Sequence, residues 1–252
     1  MEVHHHPDIH YHTKMWKEYL LEGFMIFVAV MLGFLAESLR ENISDREKER
    51  EYISSFIRNL ESDTSVLASV IGENEWKGRG LDSLKALAKK NMNDQETRRS
   101  FYHLVARYTS YYSAFISYDA TMMQLKNSGG LRFIRKQHVA DSIATYDLAV
   151  RDINYSQVPY GKAINDVMDA AQELLDDNVY EDSTYFKDGY FTGKPLPLLS
   201  KDPDRVRVFF NKISYEQGWT NNYVSTLQKW YPFAVRLISY LKKAYGFERE
   251  TQ

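Results

Sequence analysis

The sequence predicts an all-α protein: an N-terminal transmembrane helix continuous with a long stalk helix, followed by a helical bundle domain. Three observations predict it. Residues 23–36, GFMIFVAVMLGFLA, carry no charge. After them, apolar residues recur every three and four positions, the period of an α-helix. No segment alternates apolar and polar residues as a half-buried strand would.

Composition sets the outer bounds. The chain has 252 residues, 44% hydrophobic and 26% charged, which are ordinary values for a folded globular protein. A formal net charge of −2 gives no electrostatic reason to expect nucleic acid. There is no cysteine, so disulfides, thiolate metal sites and a cysteine nucleophile are excluded. The 19 tyrosines suit half-buried helix faces, where an apolar ring carries a polar tip.

In chain order, residues 1–15 form a tail with five of the seven histidines and no apolar period. The transmembrane helix is placed at 16–38. Fourteen uncharged residues are short for a span. Adding Tyr19, Leu20 and Leu21 gives an apolar stretch of 18 residues over 19–36, interrupted by Glu22. That reaches roughly 27 Å at about 1.5 Å per residue, near the thickness of a hydrocarbon core. The stretch is apolar on every side, unlike a surface helix. Trp16 and Tyr19 fall where an aromatic belt lies, and Lys14 and Lys17 can snorkel.

The stalk is placed at 39–72. Ile43, Arg46, Arg50, Ile53, Ile57, Leu60, Thr64, Leu67 and Ile71 form a heptad-like seam. The charged collar 45–51 interrupts it. Gly72, Gly78 and Gly80 are expected to break this rod near residue 71. The remainder, 73–252, reads as a helical soluble domain. It has a short helix at 81–91 and a long one at 95–126, capped by Asn93-Asp94 and stopped by Gly129-Gly130. Two helices flank Pro159, at 137–155 and 161–177. A Tyr- and Pro-rich loop follows at 179–203. The last helix covers 204–245 and contains Gly218 and Pro232.

Three stretches carry a resemblance. EYLLEGFMIFVAVMLGFLAESLREN, REKEREYISSFIRNLESDT and LKNSGGLRFIRKQ together resemble a family of uncharacterised bacterial single-pass inner-membrane proteins. Glu22, early in the apolar run, and the segment Leu125–Ile134 match its features. The likeness covers about the first 155 residues. The histidine tail departs from it, where Lys and Arg are expected. The resemblance implies an inner-membrane anchor with the helical domain outside the cytoplasm, and it implies no activity.

Several residues are candidates for function. Glu22 is an ionisable group inside an apolar run, costly unless paired, protonated or wet. It reads either as an ion or proton site or as a side chain reaching the headgroup boundary. Ala29, Gly33 and Ala36 are small residues that let helices approach closely in lipid. The seam residues Ile53, Ile57, Leu60, Leu67 and Ile71 pack either against a second copy or against the chain's own later helices. His4, His5, His6, His10 and His12 have the ligand chemistry for a divalent metal, although no cofactor is required. Arg132, Arg135 and Lys136 read as a solvated basic turn able to pair with Asp141 or Glu173, and Arg98-Arg99 reads similarly. His103 and His138 stand alone. No P-loop, G-x-S-x-G or H-E-x-x-H motif appears, so no enzyme is expected.

These observations imply membrane lipid, a homo-oligomer and other envelope proteins as partners, in a non-enzymatic scaffold or adaptor. A proton- or ion-conducting accessory using Glu22 is one alternative. A membrane-anchored ligand sensor, with loop 179–203 over a pocket, is another. Lys and Arg counts flanking the span favour a cytoplasmic C-terminal domain. The resemblance implies the reverse, and the placement taken here is N-terminus cytoplasmic and domain periplasmic, in a bacterial inner membrane.

Overall fold

The computed structural model describes residues 16–247. The fold is all-α. Its helices are α1 (Trp16–Ala86), α2 (Gln95–Tyr108), α3 (Ala120–Asn127), α4 (Gln137–Gln172) and α5 (Pro203–Tyr245). Strands β1 (Phe186–Lys187) and β2 (Tyr190–Phe191) pair as one antiparallel hairpin. Asp188 and Gly189 turn that hairpin with positive φ, 51° and 86°, the backbone a two-residue primed turn requires.

The chain divides into two compact units, residues 1–51 and 52–252. In the first, the described residues are a single run of α1, and its apolar side chains are exposed. The second is a bundle whose order follows from three apolar clusters. One cluster joins Ile53, Ile57 and Leu60 of α1 to Met122 and Leu125 of α3, Ile143 of α4 and Leu237 of α5. A second joins Leu67 and Val70 to Phe115, Ile153, Ile164 and Leu227. A third joins Leu81 and Leu84 to Phe101, Val105, Val167, Phe209 and Ile213. α1 and α4 pass through these clusters in one direction, and α5 in the other. The stretch from α2 to α3 also runs opposite to α1. The second unit is therefore an up-down-up-down four-layer bundle whose second layer is interrupted at 109–119.

Several sequence expectations need correction. α1 does not break at Gly72, Gly78 and Gly80 but continues to Ala86, absorbing the short helix expected at 81–91. Gly78 and Gly80 are buried and act in packing. A Cβ on Gly80 would stand 2.1 Å from Cδ1 of Tyr108. The Gly78 carbonyl accepts a hydrogen bond from Gln217 Nε2 at 3.2 Å.

The helix expected over 95–126 is two helices, α2 and α3, separated by 109–119. Pro159 does not divide α4, and Pro232 lies inside α5. Each proline deprives the carbonyl four residues earlier of its donor. Those residues, Tyr155 and Gln228, are exposed, so water can satisfy them.

The seam residues Ile53, Ile57, Leu60 and Leu67 are buried in the cores of the chain's own bundle, and Ile71 packs beside them. Residues 52–72, read as stalk, thus belong to the globular unit. Ile43 remains exposed.

Candidate functional site

Three features of α1 and its surroundings bear on function: an apolar stretch, two buried polar layers and a small polar cleft.

The stretch comes first in the chain. α1 holds an 18-residue window of mean hydropathy 2.1, none of it buried, and is one helix long and apolar enough to cross a membrane. Phe24, Ile26, Leu32, Phe34 and Leu35 each expose more than half of their surface. Glu22, Ala29, Gly33 and Ala36 lie in the same exposed run. A Cβ on Gly33 would meet nothing within 4 Å.

The polar layers continue the seam of α1. Core-facing positions 60, 63, 67, 70, 74, 77, 81 and 84 keep the three- and four-residue spacing through the bundle. Asp63, Asn74 and Lys77 occupy three of them, with no exposed surface. The seam read from the sequence runs through Thr64 and ends at Ile71, and so omits all three. Following the spacing through polar residues would have found them.

Lys77 and Glu216 form an ion pair at 2.7 Å, both side chains fully buried. Lys77 Nζ also donates to the Tyr111 carbonyl at 2.7 Å and lies 4.9 Å from the centre of the Tyr160 ring. Tyr160 donates its hydroxyl to Asn74 Oδ1 at 2.5 Å. Asn74 Nδ2 donates to the Ser113 carbonyl at 2.9 Å. Glu216 Oε2 has no hydrogen-bond partner among the described residues. Burial pushes the Glu216 carboxyl up to about 7, against the opposing charge of Lys77. Burial also lowers Lys77 below the ordinary amine value.

In the second layer Asp63 accepts three hydrogen bonds. They come from Tyr146 Oη at 2.6 Å, Ser117 Oγ at 2.7 Å and the Tyr118 amide at 2.7 Å. Burial, with the Asp63 carboxylate beside it, raises Tyr146 well above the ordinary phenol range.

These layers explain the interruption at 109–119. Several of its backbone groups are bonded by side chains of the surrounding helices instead of by a helical ladder. Besides Lys77, Asn74 and Asp63, Tyr223 Oη accepts from the Phe115 amide at 2.8 Å, and Gln157 Nε2 donates to the Phe115 carbonyl at 2.8 Å. A buried non-helical segment is stable only with such partners. Lys77 and Glu216 have no exposed surface, and the pair clamps α1 to α5.

The cleft adjoins the Asp63 layer. It is a cavity of about 180 Å³ lined by Asn59, Ser117, Asp119, Lys126, Tyr146, Asp147 and Arg151, with apolar walls from α1, α3 and α4. Lys126 Nζ contacts Asp147 Oδ1 at 3.0 Å, and Arg151 contacts Asp147 Oδ2 at 3.2 Å. The Oδ1 of Asn59 is buried without a hydrogen-bond partner.

The remaining candidates separate. Loop 179–203 lines shallower clefts, including one of about 390 Å³ between its hairpin and Glu96, Arg99 and His103. Arg98 is not solvated but buried. It donates to the Leu196 carbonyl at 2.8 Å and the Met92 carbonyl at 2.7 Å, tying that loop to α2. In the basic turn, Lys136 donates to the Ala244 carbonyl and lies 4.5 Å from the centre of the Tyr245 ring. Arg132 stacks on Phe133. Glu173 pairs instead with Arg205, and Asp141 accepts from Gln137. His103 and His138 are exposed. His4, His5, His6, His10 and His12 lie outside the described residues, among which no group of three or more His, Asp or Glu is placed to hold a metal ion.

No family model, curated protein or solved structure matches the chain.

Proposed function

We propose that this protein is a membrane-anchored, non-enzymatic scaffold or adaptor of the bacterial inner membrane, its helical domain presented to other envelope proteins. One observation carries the reading. None of the apolar run of α1 is buried, while residues of the same helix from Ile53 onward complete the bundle core. An exposed run of that size is stable in lipid and costly in water. Ile53 and later residues of α1 contribute to each core cluster of the second unit.

The reading places the N-terminus in the cytoplasm and the domain in the periplasm. Self-association rests on Ala29, Gly33 and Ala36, since the seam at 53–71 is occupied by the chain's own helices.

The test is crosslinking and pull-down of the full chain from native membranes, with protease accessibility for orientation. The expected result is a carbonate-resistant membrane protein that recovers further copies of itself and a defined envelope partner. Release by carbonate, or recovery of a monomer without partners, overturns the reading.

A further inference from the structure

The cleft beside Asp63 has a chemistry that neither the anchor nor the polar layers use. In its lining, Asn59 Oδ1 is a buried acceptor with no donor among the described residues. Leaving such an oxygen unpaired costs free energy, which a ligand N–H or a water recovers. At one side, Lys126 and Arg151 share the single carboxylate of Asp147. Two cations on one anion leave one positive charge in excess. At another position in the lining stands Asp119, which precedes α3 but makes no side-chain cap bond to it. The lining thus offers an acceptor and a carboxylate for a positive group, and an excess cation for a negative one.

The remaining wall is apolar. Phe56, Met122 and Val150 line the same cavity, and methionine adapts readily to the shape of a bound group. The volume, about 180 Å³, is below the range of drug-sized pockets. It corresponds to about six water molecules at roughly 30 Å³ each.

We infer that this cleft is a binding site for a small zwitterion with an apolar substituent, of the class of the free aliphatic α-amino acids. The ammonium donates to Asn59 Oδ1, with the Asp119 carboxylate in the same lining. The carboxylate meets Lys126 and Arg151, and the side chain lies against Phe56, Met122 and Val150. The Asp63–Tyr146–Ser117 bonds form the rigid back of the site, because Tyr146 and Ser117 belong both to that network and to the lining. The site does not depend on the anchoring role.

The experiment is calorimetric titration of the full chain in detergent micelles with leucine and methionine. N-acetylleucine, which lacks the ammonium, and leucinamide, which lacks the carboxylate, are the matched controls. The expected result is saturable binding of leucine or methionine, with both controls about tenfold or more weaker. Asn59→Leu removes the acceptor without leaving a cavity. It is expected to keep or raise the melting temperature of the ligand-free protein, since an unpaired buried oxygen is lost, and to abolish the titration. Lys126→Ala serves as a second, exposed variant that leaves the core untouched and is expected to weaken leucine. Absence of binding by both amino acids overturns the inference. So does equal binding of either control, or undiminished binding by a folded Asn59→Leu protein.

Discussion

Lys77 Nζ lies 2.7 Å from Glu216 Oε1 in the middle of the bundle, and neither side chain has exposed surface. Two ions are held fully buried between two apolar clusters. Their attraction offsets a desolvation cost of similar size, so the pair contributes less to stability than to where the chain goes. It fixes α1 against α5 and, through Lys77 and the Tyr111 carbonyl, holds the interrupted layer in place.

Removing one partner should therefore be far worse than removing both. Lys77→Met leaves Glu216 buried without a cation and is expected to destabilise the fold by about 3–5 kcal/mol. Lys77→Met combined with Glu216→Leu should recover most of that loss. Denaturant unfolding of the two single variants and the double variant gives the cycle. Additive losses in the double variant would contradict this account.

The same pair sets a pH dependence. Glu216 stands at about 7 in the folded protein, against an ordinary 4.5. Its folded value is raised, so the folded state holds the proton more tightly. The associated stability is full below about 4.5 and is lost as pH rises towards about 7. Glu216→Gln cannot titrate. It leaves Lys77 without its anion and is less stable than the natural protein, but that deficit should shrink with rising pH, by about 3 kcal/mol at most across the window, and be flat above it. Paired unfolding curves measured from acid to neutral pH check the sign.

Gly80 is the point where Tyr108 meets α1. The Tyr108 ring also packs at a tilt against Trp76, their centres 4.6 Å apart, which limits its retreat. Gly80→Ala gains up to about 1 kcal/mol of helix propensity. The overlap with the ring costs about 1–3 kcal/mol. The expected outcome is a net loss of thermal stability. Adding Tyr108→Ala should turn the same substitution into a neutral or favourable one.

Asp63 bonds two side chains and one backbone amide of different layers. Asp63→Ala leaves the Tyr118 amide and Tyr146 hydroxyl without an acceptor, at about 1–3 kcal/mol each. The cost should concentrate in 109–119. Hydrogen exchange of the Tyr118 amide should accelerate much more than exchange in α4, and equal acceleration throughout would show a role spread over the bundle.

Much of the architecture was legible in the sequence. The charge-free run 23–36 and the absence of strand alternation specify a helical protein with one membrane-length apolar helix, because both are properties of a single segment. The seam Ile53–Ile71 was legible as a buried face. Whether a second copy or the same chain covers that face was not, because a heptad-like pattern gives the shape of a surface and not its partner.

Tertiary structure decided the rest. Gly80 looks like a helix breaker in sequence and becomes a packing position only beside Tyr108. Residues 109–119 contain no glycine or proline and continue the apolar stripe of α2. They leave the helix because Lys77, Asn74, Asp63, Gln157 and Tyr223 offer their backbone other partners, from positions up to 108 residues away. The buried ion pair and the cleft at Asn59 have the same origin. They are built from residues that are ordinary one by one, and whose chemistry arises only when folding removes them from water and sets them against each other.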